Sequence, residues 1–283
     1  MINLSTVGLL PQIRQWLEED DLTRNFHYTR SLPTHPVELK LKIKSSLTLC
    51  GLDYLAATFI ALGMTDYDFT FLGEHEGKNF APNTEIKFPT PMPFAVALTG
   101  ERLALNLVQQ ASSIATWTRY HVGLAEDSGI KILDTRKTTP GLRSLEKYAV
   151  RVGGGHNHRL GQTDTWMIKD NHKSSMGGLK GALEFFTAQG VFYNSLVAEI
   201  HDLAELETAL SLGITHVMLD NFTSAQIREA VKIKRPGMTV EVSGGITAAT
   251  IKEFLIAGVD AISLGSLTYS APRVDLSLKF KSL

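Results

Sequence analysis

VAEIHDLAELETALSLGITHVMLDNFTSAQIREAVKIKRPGMTVEV, residues 197–242, decides the fold. Three short apolar runs, at 197–200, 216–219 and 239–242, are separated by stretches at 203–212 and 223–232 whose apolar residues recur at helical spacing. Short runs buried on both faces and joined by amphipathic helices are the pattern of parallel strands with crossover helices. The rhythm continues outward. Further apolar runs at 130–133, 149–152, 165–168 and 261–264 bring the expected strands to seven, and further helices are expected at 178–188 and 247–257. Helix ends fall near Gly190, Gly213, Pro236 and Gly258. Asp134, Arg136, Lys169, Glu199, Asp220, Ser243 and Gly265 lie at or just past the ends of different strands. In a β/α barrel those ends converge on one mouth, so the expected architecture is a seven-stranded β/α barrel.

Before residue 129 the pattern differs. Residues 37–43, VELKLKI, alternate apolar and polar, as do Tyr67, Phe69 and Phe71, which suggests strands with one wet face and hence an antiparallel sheet. Ile13, Trp16 and Leu17 share a helical face, and residues 52–62 read as a small-residue helix ended at Gly63. From about residue 103 a longer helix carries Leu103, Leu107, Ala111 and Ile114 on one side and bridges two domains. The expected division is an N-terminal α/β domain over 1–104, joined by the tail 272–283, and a barrel domain over 105–271.

Composition bounds the class of protein. With 283 residues, 43% of them hydrophobic, the chain can bury a full core. No apolar run approaches a membrane span and no secretion signal opens the chain, so a soluble, cytoplasmic protein is expected. The single cysteine, Cys50, sits between Leu49 and Leu52 and excludes an internal disulfide. Charge is distributed unevenly. Residues 131–173 hold nine Lys or Arg against four Asp or Glu, a net +5 in a chain of net −1, leaving −6 elsewhere. Such a local excess points to a polyanionic ligand. Nucleic acid fits poorly, because the basic residues cluster at strand ends without an aromatic stacking platform. His156, His158 and His172 lack the spacing of a zinc site. The Ser243-Gly244-Gly245 and Gly265-Ser266 turns follow the last two strands. They suit a phosphate, since glycine lets backbone N–H groups approach its oxygens.

DTRKTTPG, GGGHNHR, KDNH, MLDN, EVSGGI and GVDAISLGSLT, in that order, resemble the signature blocks of the quinolinate phosphoribosyltransferase family, the carboxylating nicotinate-nucleotide pyrophosphorylases. The resemblance runs from about Gly100 to Ser270. It implies an open seven-stranded barrel beside an N-terminal α/β sandwich. It also implies transfer of phosphoribose from 5-phosphoribosyl-1-pyrophosphate to quinolinate, with loss of pyrophosphate and CO2 and formation of nicotinate mononucleotide for NAD synthesis. By resemblance, Arg136, Arg159 and Lys169, helped by His158, hold the dicarboxylate, and Arg102 reaches in from a neighbouring subunit of a homodimer or a hexamer of dimers. Lys137 contacts donor phosphates. Glu199 and Asp220 bind ribose hydroxyls and assist Mg²⁺, the implied cofactor. Lys169, Glu199 and Asp220 are the implied catalytic residues, and Ser243, Gly244, Gly245, Gly265 and Ser266 cradle the 5-phosphate.

Plainer roles compete for some of these residues. Asp220 could instead cap the helix near Thr223, Glu199 could instead pair with a neighbouring lysine, and His156 and His172 fit structural roles better than catalytic ones. The chain departs from the family pattern at NFHYT (25–29), SSIAT (112–116) and LTYS, where Tyr269 replaces a histidine. Two other readings match parts of the pattern: a paralogue associated with molybdenum uptake, and a non-catalytic phosphosugar sensor. Retention of Arg102, Arg136, Arg159 and Lys169 argues against the first. Two carboxylates in an anion-binding mouth argue against the second.

Overall fold

The computed structural model describes residues 4–20, 25–191, 193 and 195–283. In chain order the helices are α1 (Leu4–Leu17), α2 (Phe26–Ser31), α3 (Leu52–Ala61), α4 (Thr70–Gly73), α5 (Phe94–Ala125), α6 (Arg143–Val152), α7 (Asp170–Ser175), α8 (Gly178–Thr187), α9 (Leu203–Ser211), α10 (Ser224–Lys232) and α11 (Ser266–Tyr269). The strands begin with β1 (Pro36–Ile43), β2 (Leu47–Thr48), β3 (Asn79–Phe80), β4 (Glu85–Lys87), β5 (Met92–Pro93) and β6 (Lys131–Leu133). They continue with β7 (Trp166–Ile168), β8 (Leu196–Ile200), β9 (His216–Asp220), β10 (Thr239–Ser243), β11 (Ala261–Ser263) and β12 (Leu276–Ser282). The chain groups into two compact units: Met1–Trp117 with Ser144–Gly153 and Ala271–Leu283, and Thr118–Arg143 with Gly154–Ser270.

The first unit is built on an antiparallel sheet in which β1 pairs with β12 along seven residues, Val37↔Ser282 to Ile43↔Leu276, and with β4 and β5. Alternation in β1 works as expected: Val37, Leu39, Leu41 and Ile43 are buried. They pack with Leu55 and Phe59 of α3, Ala104 and Val108 of α5, and Leu276 and Leu278 of β12. At the start of α3, Gly51 has φ +95°, and a Cβ there would come within 3.0 Å of the Ala111 side chain, so only glycine lets α3 approach α5 this closely. This N-terminus of α3 has no capping side chain of its own. The Glu76 carboxylate, from a distant loop, accepts from the N–H groups of Gly51 (2.9 Å) and Leu52 (3.0 Å) and from the Tyr148 hydroxyl (3.0 Å).

The second unit is a sheet of six parallel strands in the order β6-β11-β10-β9-β8-β7. A single parallel bridge from His156 to Leu133 extends it beyond β6. Registers of Asp220 opposite Ser243 and Ile200 opposite Leu219 bring the strands' C-terminal ends level with one another. Asp202 caps α9, and a reciprocal Thr223–Gln226 box caps α10, so Asp220 does not serve as the cap of α10.

Three expectations are corrected. Residues 149–152 are not a strand, which makes the parallel strands six and not seven. They end α6, where Leu145, Ala149 and Val150 are buried at helical spacing and Gly153 N–H bonds back to Ala149. The helix expected at 247–257 shrinks to one 3₁₀ turn at Ile251–Phe254, because the Thr247 N–H and hydroxyl both bond the Thr250 hydroxyl, a local alternative to the helix ladder. Tyr67, Phe69 and Phe71 are not a strand either. They lie in turns and in α4, and their alternation reflects aromatic packing, with Phe69 stacked on Phe59 and Phe71 edge-on to Phe88. The long helix begins already at Phe94.

Glu76→Ala leaves two helix N–H groups without an acceptor and is expected to cost about 2 kcal/mol, measured by denaturant unfolding, while Glu76→Gln loses less.

Candidate active site

Thr135, Arg136, Lys137, His158, Arg159, Met167, Lys169, Glu199, Met218, Asp220 and Ser243 line a cavity of about 430 Å³. All belong to the second unit and come from β7 to β10 or from the loops after β6 and beyond the His156 bridge. Four cationic side chains therefore face two carboxylates. Among the described residues, Arg136 and Lys137 have no ion-pair partner and stand exposed. Arg159 is held differently: its guanidinium donates to the carbonyls of Gln162 and Thr165, both at 3.2 Å. Burial, together with the nearby positive charge of Arg136, lowers the Arg159 pKa from its ordinary value, against the opposing charges of Asp164 and Glu199.

The loop that presents Arg159 is closed by Asp164, whose carboxylate accepts from Leu160 N (2.6 Å) and Gly161 N (2.9 Å). His158 is locked from both sides. Its Nδ1 accepts from Arg159 N at 2.6 Å, and its Nε2 lies 3.3 Å from Glu241 Oε2. Glu241 also accepts from the Ser263 hydroxyl, and the fully buried Asp134 accepts from His158 N (2.9 Å) and Asn157 Nδ2 (2.6 Å). This buried network fixes the floor of the cavity, and what His158 turns toward a ligand is mainly its ring.

On the acidic side, Lys169 Nζ pairs with Glu199 Oε2, so the plainer role considered for Glu199 is present. Asp220 is half-buried. Burial and the charge of Glu199 raise its pKa, against the opposing effects of His201 and Lys169. Asp170 and His201 gather around Glu199, with one side-chain nitrogen or oxygen of each of the three within 4.8 Å of the others. His172 is structural: its Nδ1 accepts from Lys169 N at 3.0 Å at the start of α7, and its ring packs edge-on to Phe186.

The glycine turns serve sterically. Gly244 has φ +97°, and a Cβ there would fall 2.2 Å from Asn221 Oδ1 and 2.7 Å from Asn221 N. The turn after β10 can therefore lie against the turn after β9 only with glycine. Gly265 faces Lys137 and Tyr269, and the Thr268 hydroxyl donates to the Lys137 carbonyl at 2.6 Å, tying the loop after β6 to α11. Ser243 lines the cavity directly. Gly244, Gly245, Gly265 and Ser266 are not in its lining, and Arg102 is exposed on α5 in the other unit. The Ser243-Gly244-Gly245 turn opens no α-helix, contrary to expectation.

Residues 114–279 match the family model described as quinolinate phosphoribosyl transferase, C-terminal domain, more than half of the chain. The chain belongs to the quinolinate phosphoribosyltransferase family. A human relative, nicotinate-nucleotide pyrophosphorylase [carboxylating], is 33% identical over 281 residues, 98% of this chain and 93% of that one. A Bacillus subtilis (strain 168) protein named "Probable nicotinate-nucleotide pyrophosphorylase [carboxylating]" is 44% identical over 186 residues, and that match spans 66% of this chain and 64% of the relative. Among solved structures, NadC from Streptococcus pyogenes superposes with a TM-score of 0.87 at 31% identity, covering all of both chains.

For this phosphoribosyltransferase-family chain, sequence reasoning missed Thr135, Met167, Met218, Glu241 and Asn157. Met218 and Glu241 were accessible to it: each lies two residues before a named site residue, Asp220 and Ser243, and strand side chains two apart share a face. Asp164 supplies a pH test. Although its partial burial opposes ionisation, the backbone N–H bonds from Leu160 and Gly161 hold its pKa below the ordinary value. Its contribution to stability is therefore present above the unfolded-state pKa of about 3.9 and lost as pH falls through the lower folded value. Asp164→Asn is expected to destabilise the protein at neutral pH, with the gap to wild type closing below about pH 4 in acid unfolding titrations.

Proposed function

We infer that this protein is a decarboxylating quinolinate phosphoribosyltransferase, joining quinolinate to 5-phosphoribosyl-1-pyrophosphate to give nicotinate mononucleotide, pyrophosphate and CO2 in NAD biosynthesis. The observation that carries this reading is the joint placement of Arg136, Lys137, Arg159 and Lys169 with Glu199 and Asp220 in one cavity, in a member of this family. Both reactants are polyanions, and the cavity's size of about 430 Å³ suits small ligands.

Arg136 and Arg159 suit the planar carboxylates of quinolinate through paired N–H donors. Lys169 leaves Glu199 for a substrate carboxylate, which frees Glu199 to face the ribose. As pyrophosphate departs, positive charge grows at ribose C1, and the Glu199 and Asp220 carboxylates stabilise it. The pyridine nitrogen attacks C1 and becomes cationic. When the C2–carboxylate bond breaks, CO2 leaves and the electron pair remains on C2 beside that cationic nitrogen, where a proton takes the vacated position. The protein's main contribution is orientation of two anions. Lys137, on a loop tied to α11, is placed for the donor's phosphates, with Ser243, Gly244, Gly245, Gly265 and Ser266 framing the 5-phosphate.

Magnesium fits the donor set: the Glu199 charge and burial disfavour the Asp220 carboxylate, a strain that a divalent cation relieves. Bound there by Asp220, Glu199 and substrate oxygens, Mg²⁺ would neutralise pyrophosphate charge. The parallel sheet, extended at the His156 bridge, is read here as an open barrel. Arg102 is assigned to a neighbouring subunit's site in a homodimer, alone or within a hexamer of dimers, and the enzyme to the cytoplasm on the composition described above.

The decisive assay supplies purified protein with quinolinate, phosphoribosyl pyrophosphate and Mg²⁺. Nicotinate mononucleotide and CO2 are expected from quinolinate and not from nicotinate, and absence of both products overturns the reading. Asp220→Asn is expected to lower kcat by roughly 10²-fold or more by removing one charge that opposes the developing cation. Mixing inactive Arg102→Ala and Lys169→Ala chains is expected to recover part of the activity through heterodimers; unrecovered activity contradicts the shared site.

A further inference from the structure

Lys173 lies one helical turn beyond Lys169, its N–H bonded to the Lys169 carbonyl at 3.1 Å. It does not line the substrate cavity, and its side chain is only 10% exposed. A buried lysine is costly unless its charge and donors are all used, and here they are. Its Nζ donates to the Glu199 carbonyl at 3.0 Å and to Glu205 Oε1 at 2.6 Å, and lies 3.3 Å from Asp170 Oδ1. The second Glu205 oxygen accepts from His201 N at 2.8 Å. The Lys173–Glu205 pair therefore grips the backbone on both sides of Ile200, at the C-terminal end of β8. Lys169 meanwhile holds the Glu199 carboxylate from the front. One residue is thus clamped by two lysines four apart, and only the front one faces a ligand.

We propose that Lys173, paired with Glu205, is the positioning residue that keeps the Glu199 carboxylate aimed into the cavity once Lys169 turns to the substrate. The proposal rests on the transferase reading above. When Lys169 moves to a substrate carboxylate, Glu199 loses its side-chain partner. The anchored carbonyl of Glu199 and N–H of His201 then fix the direction of its Cα–Cβ bond. Without that anchor the carboxylate drifts from ribose C1, and displacement of about 1 Å lowers rates by up to roughly 10²-fold. Quinolinate binding, made by Arg136, Arg159 and Lys169, does not depend on it.

The test is steady-state kinetics of the full-length enzyme with both substrates and Mg²⁺, normalised to folded protein, beside thermal unfolding. Lys173→Met is expected to lower kcat by roughly 10- to 100-fold with the KM for quinolinate within about twofold of wild type. Lys173→Arg should recover much of the loss. Exposed Lys180→Met is the control and should match wild type. Lys173→Met can also destabilise the fold by leaving the Glu205 charge without its cation, so the double variant Lys173→Met/Glu205→Gln, which removes that charge and keeps an acceptor for the His201 N–H, separates the two effects. A restored melting temperature with kcat still low supports positioning; kcat returning with the melting temperature overturns it, as does full kcat in Lys173→Met. An inactive wild type counts against the transferase reading, and the crystal structure of Lys173→Met then decides the proposal: an unmoved Glu199 carboxylate overturns it, a displaced one supports it.

Discussion

The ion pair between Lys169 and Glu199 is the constraint around which the second unit is arranged. Each member ends or follows a different strand, so the pair can form only if β7 and β8 lie side by side in register, as the pairing of Ile168 with Ala198 ensures. It also sets the charge of the cavity. One of four cations is paired with one of two carboxylates. Arg136, Lys137 and Arg159 remain to attract anions, and Asp220 sits where burial and the Glu199 charge disfavour its ionised form. In the proposed reaction an incoming dicarboxylate would take the cation and release the carboxylate to the sugar. Binding one substrate would thereby prepare the group needed for the other.

Such an arrangement needs stiff surroundings, because like charges held near one another move apart unless the backbone resists. Buried polar contacts add to the apolar packing of the sheet in supplying that resistance. Asp134 and Glu241, both buried, are each fully engaged within the sheet's inner network around His158. Gly244 permits the turns after β9 and β10 to touch, and the Thr268 hydroxyl fixes the Lys137 loop. These contacts carry no substrate chemistry. They hold the strand ends at which the chemistry is displayed.

Much of this was legible in the chain because parallel strands buried on both faces have an unmistakable pattern, and polar residues at their ends stand out against it. Glu199, Asp220, Lys169 and Ser243 were readable for that reason, and all four line the cavity. Residues 149–152 misled because three apolar residues at the end of an amphipathic helix look like a short strand once Leu145 is overlooked. The helix expected at 247–257 failed where two threonines could bond each other's backbone and hydroxyl groups. Lys173 was invisible as the partner of the Glu199 carbonyl and of Glu205, since tertiary pairing across 26 and 32 positions leaves no trace in local periodicity. The excess of basic residues at 131–173 was a sound pointer but a coarse one: of its nine Lys and Arg, only Arg136, Lys137, Arg159 and Lys169 reach the cavity.

The exchange of partners by Lys169 is the central claim, and a crystal structure of the protein with quinolinate bound tests it most directly. The account predicts Lys169 Nζ at hydrogen-bonding distance from a quinolinate carboxylate, with the Glu199 carboxylate released and still facing the cavity. An intact Lys169–Glu199 pair beside quinolinate carboxylates bound elsewhere would contradict it.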